Sequence, residues 1–255
     1  MRSLAADETL AVEFDTTPPD TSQSYLSNLS VRAPLEAGKT LSLGFVVDGG
    51  SKSVLTRVAG PTLSGFGITD FMPDPRLAVQ KGSTVVASND NWSAVAIEAT
   101  AKALGAFDFA AGSKDAATIA TVTGPNTVEI TGDVGGVILS EVYDTAGSAT
   151  GPRLSNVSAL SFSGQGAQIL TAGFTVDGPG QARLLIRGVG PELNSRFGVP
   201  GVMVDPKITV FSGSTAIASN DNWDASLAST MTTLGAFPLT TGSADAALLL
   251  VVDAG

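Results

Sequence analysis

The chain alternates short apolar runs with turn-forming residues along most of its length. The runs are rich in β-branched side chains and are bounded by Gly, Pro, Asp or Ser, a pattern typical of short β-strands. In the first half of the chain they cover residues 40–48, 53–60, 76–80, 84–88, 117–123, 127–132 and 137–144. We therefore predict a protein of the all-β class.

One segment in each half has a helical spacing instead. Ile97, Ala101 and Leu104 lie at positions that face one side of an α-helix, and Gly105 follows them. A glycine directly after the last apolar residue is a common helix end. The corresponding residues of the second half are Leu227, Met231, Leu234 and Gly235. Each half therefore predicts one short helical insert among its strands.

The second half of the chain repeats the first, motif by motif and in the same order. Residues 26–30 (LSNLS) return as 154–158 (LSNVS), and residues 44–49 (GFVVDG) return as 173–178 (GFTVDG). Further matched pairs are 55–61 with 185–191, 85–92 with 216–223, 104–107 with 234–237, and 115–117 with 245–247. A repeat this long is typical of two globular modules rather than of a solenoid.

We therefore predict two tandem β-sandwich domains of about seven or eight strands each. The expected boundaries are an N-terminal donor-type strand over 1–16, a linker over 17–25, repeat 1 over 26–144, a linker over 145–153, and repeat 2 over 154–255.

Repeat 2 lacks counterparts of the two final strands of repeat 1. It stops at the apolar segment 246–252, whereas repeat 1 continues through 127–132 and 137–144. The N-terminal segment 10–15 (LAVEFD) resembles residues 139–144 (LSEVYD), so the chain begins with what looks like a final strand. An unpaired apolar edge such as 246–252 favours pairing with another strand.

Three arrangements would supply a missing strand. Residues 10–15 could fold back onto repeat 2 of their own chain, they could insert into repeat 2 of the next chain, or the sequence could be a piece of a longer repeat array cut out of phase. Fold-back is disfavoured, because the segment would have to pass the whole first module on a linker that reaches only about 35 Å. The predicted strand-donation interface comprises Leu10, Val12, Phe14, Leu248, Leu250 and Val252.

Composition and charge exclude several classes of function. The net charge is −10 and no basic cluster is present, so binding to nucleic acid is not expected. The chain has no histidine and no cysteine, which removes the usual general base, zinc ligand and thiolate nucleophile. No apolar run is long enough for a membrane-spanning helix, and no serine-nucleophile motif occurs. We predict no enzymatic activity and no membrane span.

The pentapeptide SNDNW occurs at 88–92 and at 219–223 and contains both tryptophans of the chain. Asn and Asp side chains bond to nearby backbone groups in turns, and a tryptophan can cover the end of a sandwich core. We interpret the pentapeptide as a structural corner, with Trp92 and Trp223 as structural residues.

Two other interpretations of these loops remain open, a calcium site and a sugar-binding tryptophan. Carboxylate and amide oxygens are the ligands that Ca²⁺ prefers, although the loops lack the spacing of an EF-hand loop. The metal ligands would be Asp74, Asn89, Asp90 and Asp115 in repeat 1, and Asp205, Asn220, Asp221 and Asp245 in repeat 2. Ca²⁺ is the one cofactor that the sequence suggests.

Two further motifs receive structural interpretations. Arg57 and Arg187 lie within apolar strands, where a buried arginine is usually paired with a carboxylate. The predicted partners are Asp74 or Asp115 for the first, and Asp205 or Asp245 for the second. Residues 49–53 (GGSKS) lack the spacing of a phosphate-binding loop, and we predict a hairpin turn there.

The ordered set LSNLS, GFVVDGG, LTRVAGPTLSGFGI, DPRLAV, VVASNDNW, LGAF, SKDAA and EVYD resembles a repeat found near the C-termini of large secreted bacterial proteins, often in tandem. The portion from Asp74 through 85–92 is also similar to pre-peptidase C-terminal, CUB-like modules. The resemblance implies an extracytoplasmic β-sandwich of jelly-roll or CUB-like type that serves display, adhesion or assembly. No catalytic residues carry over. The incomplete end of repeat 2 departs from the pattern.

We therefore expect a non-enzymatic structural protein, located outside the cell or on its surface. Its expected partners are copies of itself, joined into a filament or surface array by head-to-tail strand donation. The alternative is a calcium-supported adhesion or carbohydrate-binding module of a larger secreted protein.

Overall fold

The computed structural model describes residues 24–93, 95–147, 151–164 and 168–254, together with the backbone of residues 7–15. Strands account for 51% of the protein and helices for 14%, which confirms the all-β class. Among the described helices, none is long and apolar enough to cross a membrane.

Thirteen strands lie in the described residues, and eleven of them form one sheet. The strands are β1 (Asp7–Asp15), β2 (Tyr25–Leu35), β3 (Thr40–Ala59), β4 (Arg76–Lys81), β5 (Thr84–Asn89), β6 (Ala116–Thr131), β7 (Gly136–Asp144), β8 (Arg153–Phe162), β9 (Thr171–Asp177), β10 (Gln181–Val189), β11 (Ile208–Ser212), β12 (Thr215–Asn220) and β13 (Ala246–Asp253). The sheet order is β13-β10-β1-β8-β2-β7-β3-β6-β4-β5, with β9 added beside β2. The hairpin β11–β12 forms a separate two-stranded sheet.

The predicted helical insert is present in both repeats. It is α1 (Val95–Ala103) in repeat 1, and in repeat 2 a 3-10 turn (Ala225–Leu227) followed by α3 (Ala228–Thr233). Each repeat also has a second short helix that we did not predict, a 3-10 helix (Pro61–Phe66) and α2 (Pro191–Phe197). Both begin with a proline and end before a left-handed glycine, which are ordinary helix start and stop signals.

Two of the strands are long and bent, where the sequence predicted four short ones. Residues 40–48 and 53–59 belong to the single strand β3, and residues 117–123 and 127–131 belong to β6. The predicted hairpin turn at 49–53 is wrong. Gly49 and Gly50, with φ values of 80° and 140°, turn β3 away from β8 and towards β7, and they do not fold it back on itself.

The two repeats interlock through their first strands. β2 of repeat 1 pairs with β9 of repeat 2, and β8 of repeat 2 pairs with β3 of repeat 1. The registers correspond, since Val31 lies opposite Ala172 and Ala159 lies opposite Leu43. The strand pairing between the two repeats therefore has an approximate two-fold symmetry.

The main hydrophobic core is shared between the repeats. One cluster of buried side chains contains Leu29 and Phe45 from repeat 1 and Val157, Leu184 and Ile186 from repeat 2. Smaller clusters cover the ends, one under the helices of repeat 2 and two in repeat 1. Neither repeat therefore buries its apolar surface without the other.

Candidate functional site

The N-terminal strand β1 lies between β8 and β10 of its own chain. Val12 is opposite Val157 of β8 on one side and opposite Ile186 of β10 on the other. In repeat 1 the same position, between β2 and β3, belongs to β7. β1 therefore occupies in repeat 2 the position that β7 occupies in repeat 1. We call β1 with its two neighbours the complementation site.

Our expectation that fold-back within one chain is disfavoured is wrong. It assumed that repeat 1 stands between β1 and repeat 2. The pairings place both ends of the linker at repeat 2, since Asp15 lies opposite Arg183 and Tyr25 lies opposite Asp177. The linker therefore has to join two neighbouring places rather than pass a whole module.

The six residues predicted as one donation interface lie on both sides of β10. β1 pairs along one edge of β10, and β13 pairs along the other, with Leu248 opposite Ile186 and Leu250 opposite Leu184. β1 and β13 are therefore not neighbours. The side chains of Leu10, Val12 and Phe14 lie outside the described residues, whereas Leu248, Leu250 and Val252 are half-buried and pack against the main core.

The SNDNW loops form turns that link the end of β5 to β6 in repeat 1 and the end of β12 to β13 in repeat 2. The Oδ1 atom of Asn89 accepts a hydrogen bond from the backbone N–H of Ala117 at 2.9 Å, and its Nδ2 donates to the Asn91 carbonyl at 3.1 Å. In repeat 2, Asn220 and the Ala247 N–H make the same contact at 2.9 Å. The amide side chains are thus engaged in turn geometry.

Each tryptophan stabilises its SNDNW turn through hydrogen bonds from both its backbone N–H and its indole N–H. The backbone N–H of Trp92 donates to the Asp115 carbonyl at 2.9 Å, and its Nε1 donates to the Ser113 hydroxyl at 3.0 Å. Its ring packs edge-on against Phe109, with 5.8 Å between the ring centroids. In repeat 2, Trp223 is 8% exposed and belongs to a core cluster. Trp223 is therefore largely buried with its N–H bonded, whereas Trp92 is only half-buried.

Asp115 and Asp245 hold the start of the unpredicted helices. The Asp115 carboxylate is fully buried and accepts hydrogen bonds from Gly60 N–H at 2.7 Å, Thr62 N–H at 3.2 Å and the Ser113 hydroxyl at 2.5 Å, with a further bond from the Thr62 hydroxyl. In repeat 2 the donors to Asp245 are Gly190 N–H, Glu192 N–H and the Ser243 hydroxyl. These aspartates are caps with their oxygens already occupied.

The residues suggested as calcium ligands do not form a ligand cluster. Asp74 is ion-paired with Lys114 at 2.5 Å, and the Asp115 carboxylate points to a helix start rather than to the SNDNW loop. Asp90, Asp205 and Asp221 are exposed. Within the described ranges, no group of three or more acidic side chains is placed to hold a metal ion.

The predicted carboxylate partner of Arg57, Asp74 or Asp115, is wrong, and the predicted partner of Arg187 stays a prediction. Arg57 donates to the Phe107 carbonyl at 2.8 Å, lies 4.0 Å above the Phe109 ring centroid, and has Glu141 as its carboxylate, with Nε 3.7 Å from Oε2. Arg187 donates to the Phe237 carbonyl at 2.7 Å and lies over the same ring at 4.2 Å. Both guanidinium groups are thus cation–π partners inside the fold.

Sequence reasoning missed two buried polar pairs of repeat 1. Lys52, 5% exposed, is ion-paired with Asp144 at 2.8 Å and donates to the Pro152 carbonyl at 2.6 Å. Tyr143 donates to Glu141 at 2.7 Å. Burial raises the pKa of Glu141, and the opposing effects of Arg57 and Tyr143 do not fully offset it. Charged residues within apolar strands were the available signal, but Asp144, the partner of Lys52, lies on a strand remote in sequence.

No known protein family, curated protein or solved structure matches this chain.

Proposed function

We propose that the protein is a non-enzymatic extracellular structural subunit that assembles head to tail by donation of β1 to repeat 2 of a neighbouring copy. The observation that supports this proposal is that β1, at the far end of the sequence, fills in repeat 2 the strand position that β7 fills in repeat 1. Repeat 2 thus receives the counterpart of its final strand from a segment that is not contiguous with it.

Exchange of β1 between copies would use the same contacts as closure within one chain. Domain swapping keeps each strand interaction and changes only which chain supplies the strand. Backbone hydrogen bonds on both edges of the donated strand, to β8 and to β10, would provide the affinity. A swap that does not close on itself produces a filament.

The finer architecture belongs to the same proposal. We propose a two-layered β-sandwich of jelly-roll type for each repeat. In repeat 1 the bent strands β3 and β6 pass from one layer to the other. A net charge of −10 suits a solvent-exposed subunit that stays soluble.

Engineered cysteines test the proposal, because the chain has none of its own. Glu13 of β1 lies opposite Asn156 of β8. One preparation carries Glu13→Cys and a second carries Asn156→Cys; they are mixed, unfolded, refolded together and oxidised. If β1 is donated between copies, a disulfide-linked pair of the two chains forms. A mixture of Glu13→Cys with the exposed Ser214→Cys serves as the matched control, since these positions are not paired.

Electron microscopy provides the second measurement. The proposal expects filaments from the full chain and none from a variant that lacks residues 1–16. If the chain bearing both Glu13→Cys and Asn156→Cys forms its disulfide only within one chain, and the mixed single variants form none, then β1 serves only its own chain and the proposal is wrong.

A further inference from the structure

A lysine and an aspartate of repeat 1 meet inside the fold. Lys52 of β3 and Asp144 of β7 are 5% and 1% exposed, and 2.8 Å separates the lysine Nζ from the aspartate Oδ2. Asp144 lies opposite Val54, two residues from Lys52, so the two side chains are diagonal neighbours on one face of the sheet. Val54 belongs to the main core, which places this face inside the protein. An amine and a carboxyl group are therefore held in contact away from water.

The two oxygens of the Asp144 carboxyl group have different surroundings. Oδ1 accepts hydrogen bonds from the backbone N–H of Ala146 at 2.9 Å and of Gly147 at 3.1 Å. Apart from its contact with Lys52, Oδ2 has no hydrogen-bond donor among the described residues. Two N–H groups on one oxygen are the arrangement that stabilises negative charge when a nucleophile attacks the adjoining carbon. Oδ1 thus has the surroundings of an oxyanion, and Oδ2 those of a leaving group.

The lysine amine is held in place by a second contact. Its Nζ donates a hydrogen bond to the Pro152 carbonyl at 2.6 Å, so the end of a long side chain is fixed between two oxygen atoms. Holding a nucleophile against its target replaces a chance encounter by a reaction within one assembled site. Such a site needs neither histidine nor cysteine, which this chain lacks.

We propose that Lys52 and Asp144 become joined by an amide bond, which the folded chain forms between its own side chains. The ion pair in the structure is the state that precedes this bond. The inference concerns repeat 1 by itself and does not depend on donation of β1. Since Leu55 matches Leu185 in the repeat, Lys52 matches Ala182, and repeat 2 has no amine at this position. We therefore expect one such bond in each chain.

The reaction balances without any further reagent. A proton moves from Nζ to Oδ2, which turns the ammonium and the carboxylate into an amine and a carboxylic acid. The nitrogen attacks Cγ, and the negative charge on Oδ1 is stabilised by the N–H groups of Ala146 and Gly147. A second proton passes from the nitrogen to Oδ2, the bond from Cγ to Oδ2 breaks, and water leaves. The third proton stays on the nitrogen as the amide N–H, facing the Pro152 carbonyl.

Two other ion pairs show which conditions distinguish this site. Lys114 and Asp74 have the same chemical groups, but their side chains are 58% and 44% exposed, so water surrounds them. Arg57 and Glu141 are buried, but a guanidinium group stays protonated and is not a nucleophile. At Lys52 a neutral amide would replace two buried charges, which removes their desolvation cost. It would also link β3 to β7 covalently in a chain that has no cysteine for a disulfide.

Intact-mass spectrometry of the denatured full chain tests the bond. We expect a mass below that of the sequence by one water molecule, about 18 Da. The variant Lys52→Arg keeps the positive charge but cannot form the amide, and we expect it to have its full sequence mass. Its fold is checked by circular dichroism. The exposed Lys39 provides the matched control, because Lys39→Arg should keep the loss of water.

Digestion with trypsin locates the bond. The expected product is one linked species that contains residues 40–57, uncleaved after Lys52, joined to residues 115–153. Location matters because ring closure at Asp48 or Asp177, each followed by glycine, also removes one water molecule. A loss of that kind would persist in the Lys52→Arg variant and would give no linked peptides.

The results separate this inference from the proposed function. A folded chain that keeps its full sequence mass after prolonged incubation at neutral pH would overturn the amide bond. A loss of water that maps to an Asp–Gly site, or that persists in Lys52→Arg, would overturn it as well. Linked peptides without exchange of β1 between copies would retain the bond and reject β1 donation. Exchange of β1 in a chain of full mass would do the reverse.

Discussion

A β-carbon placed on Gly44 would lie 2.7 Å from the Oγ atom of Ser158, across the pairing of β3 with β8. The reciprocal contact has the same length, since a β-carbon on Gly173 would lie 2.7 Å from the Oγ atom of Ser30. Each glycine belongs to one repeat and each serine to the other. The recurrence of LSN[LV]S and GF[VT]VDG is therefore explained by packing between repeats.

The substitution Gly44→Ala is expected to lower the free energy of unfolding by about 1–3 kcal/mol, because the added methyl group overpacks the contact with Ser158. Urea denaturation measures the change. Gly65→Ala is the matched control, since its β-carbon would meet nothing within 4 Å, and we expect a change of no more than about 1 kcal/mol. Adding Ser158→Gly to Gly44→Ala should recover part of the loss; full additivity of the two costs would contradict the contact.

The substitution Asp115→Ala is expected to cost more than about 2 kcal/mol of unfolding free energy, because it leaves buried donors at Gly60 and Thr62 without an acceptor. Asp245→Ala should have a similar effect in repeat 2. The exposed Asp90 provides the control, and Asp90→Ala should change stability by no more than about 0.5 kcal/mol. Equal costs at Asp90 and Asp115 would contradict the capping role.

The substitution Lys52→Met is expected to destabilise the protein by about 3–5 kcal/mol, because it leaves the Asp144 carboxylate buried without its cation. The double substitution Lys52→Met with Asp144→Asn removes both charges and should recover most of that loss. Thermal and urea denaturation of the single and double variants provide the cycle. Strictly additive effects would show that the two side chains do not act as a pair.

Glu192 gives a pH dependence of stability with a definite sign. Burial raises its pKa, but hydrogen bonds from Thr240 and Arg196 outweigh that effect and bring the pKa below the ordinary value of 4.5. The folded state therefore holds this proton less tightly than the unfolded state. Its contribution to stability is present above pH 4.5 and is lost as the pH falls through the folded-state pKa.

The variant Glu192→Gln is expected to be less stable than the parent near neutral pH and to lose less stability on acidification below pH 4.5. Urea denaturation at a series of pH values measures both effects. An unchanged slope in this acidic range would contradict the assigned hydrogen bonds.

Calcium titration distinguishes the structural proposal from the adhesion alternative. Because Asn89, Asp115 and their counterparts are engaged in hydrogen bonds within the fold, we expect millimolar Ca²⁺ to leave the Tm unchanged. Mg²⁺ at the same ionic strength is the control. A rise in Tm specific to Ca²⁺ that is abolished by Asp90→Ala would favour the calcium-supported alternative.

Local features of the fold could be predicted from the sequence because they depend on local spacing. Short β-branched runs bounded by turn residues located the strands, and the spacing of Ile97, Ala101 and Leu104 located α1. The two helices that begin at Pro61 and Pro191 carried proline and glycine signals too, but both are short and have little apolar periodicity.

Non-local features could not be predicted because different structures share the same local pattern. A glycine pair between two apolar runs is compatible with a hairpin and with a bend, and only the pairing of β3 with both β7 and β8 distinguishes them. The prediction of the Arg57 partner was wrong for the same reason, since Glu141 lies on another strand and faces Arg57 across the sheet. The place of β1 depended on how the repeats interlock.

The reciprocal exchange of first strands has a consequence for the origin of the architecture. When residue i of one unit contacts residue j of the other and j contacts i, the interface has the property of an isologous homodimer. The chain carries that property inside a single polypeptide, through Ser30 with Gly173 and Gly44 with Ser158. Such an arrangement is what gene duplication and fusion of a symmetric two-subunit ancestor would produce, with an inherited interface now serving as the protein's interior.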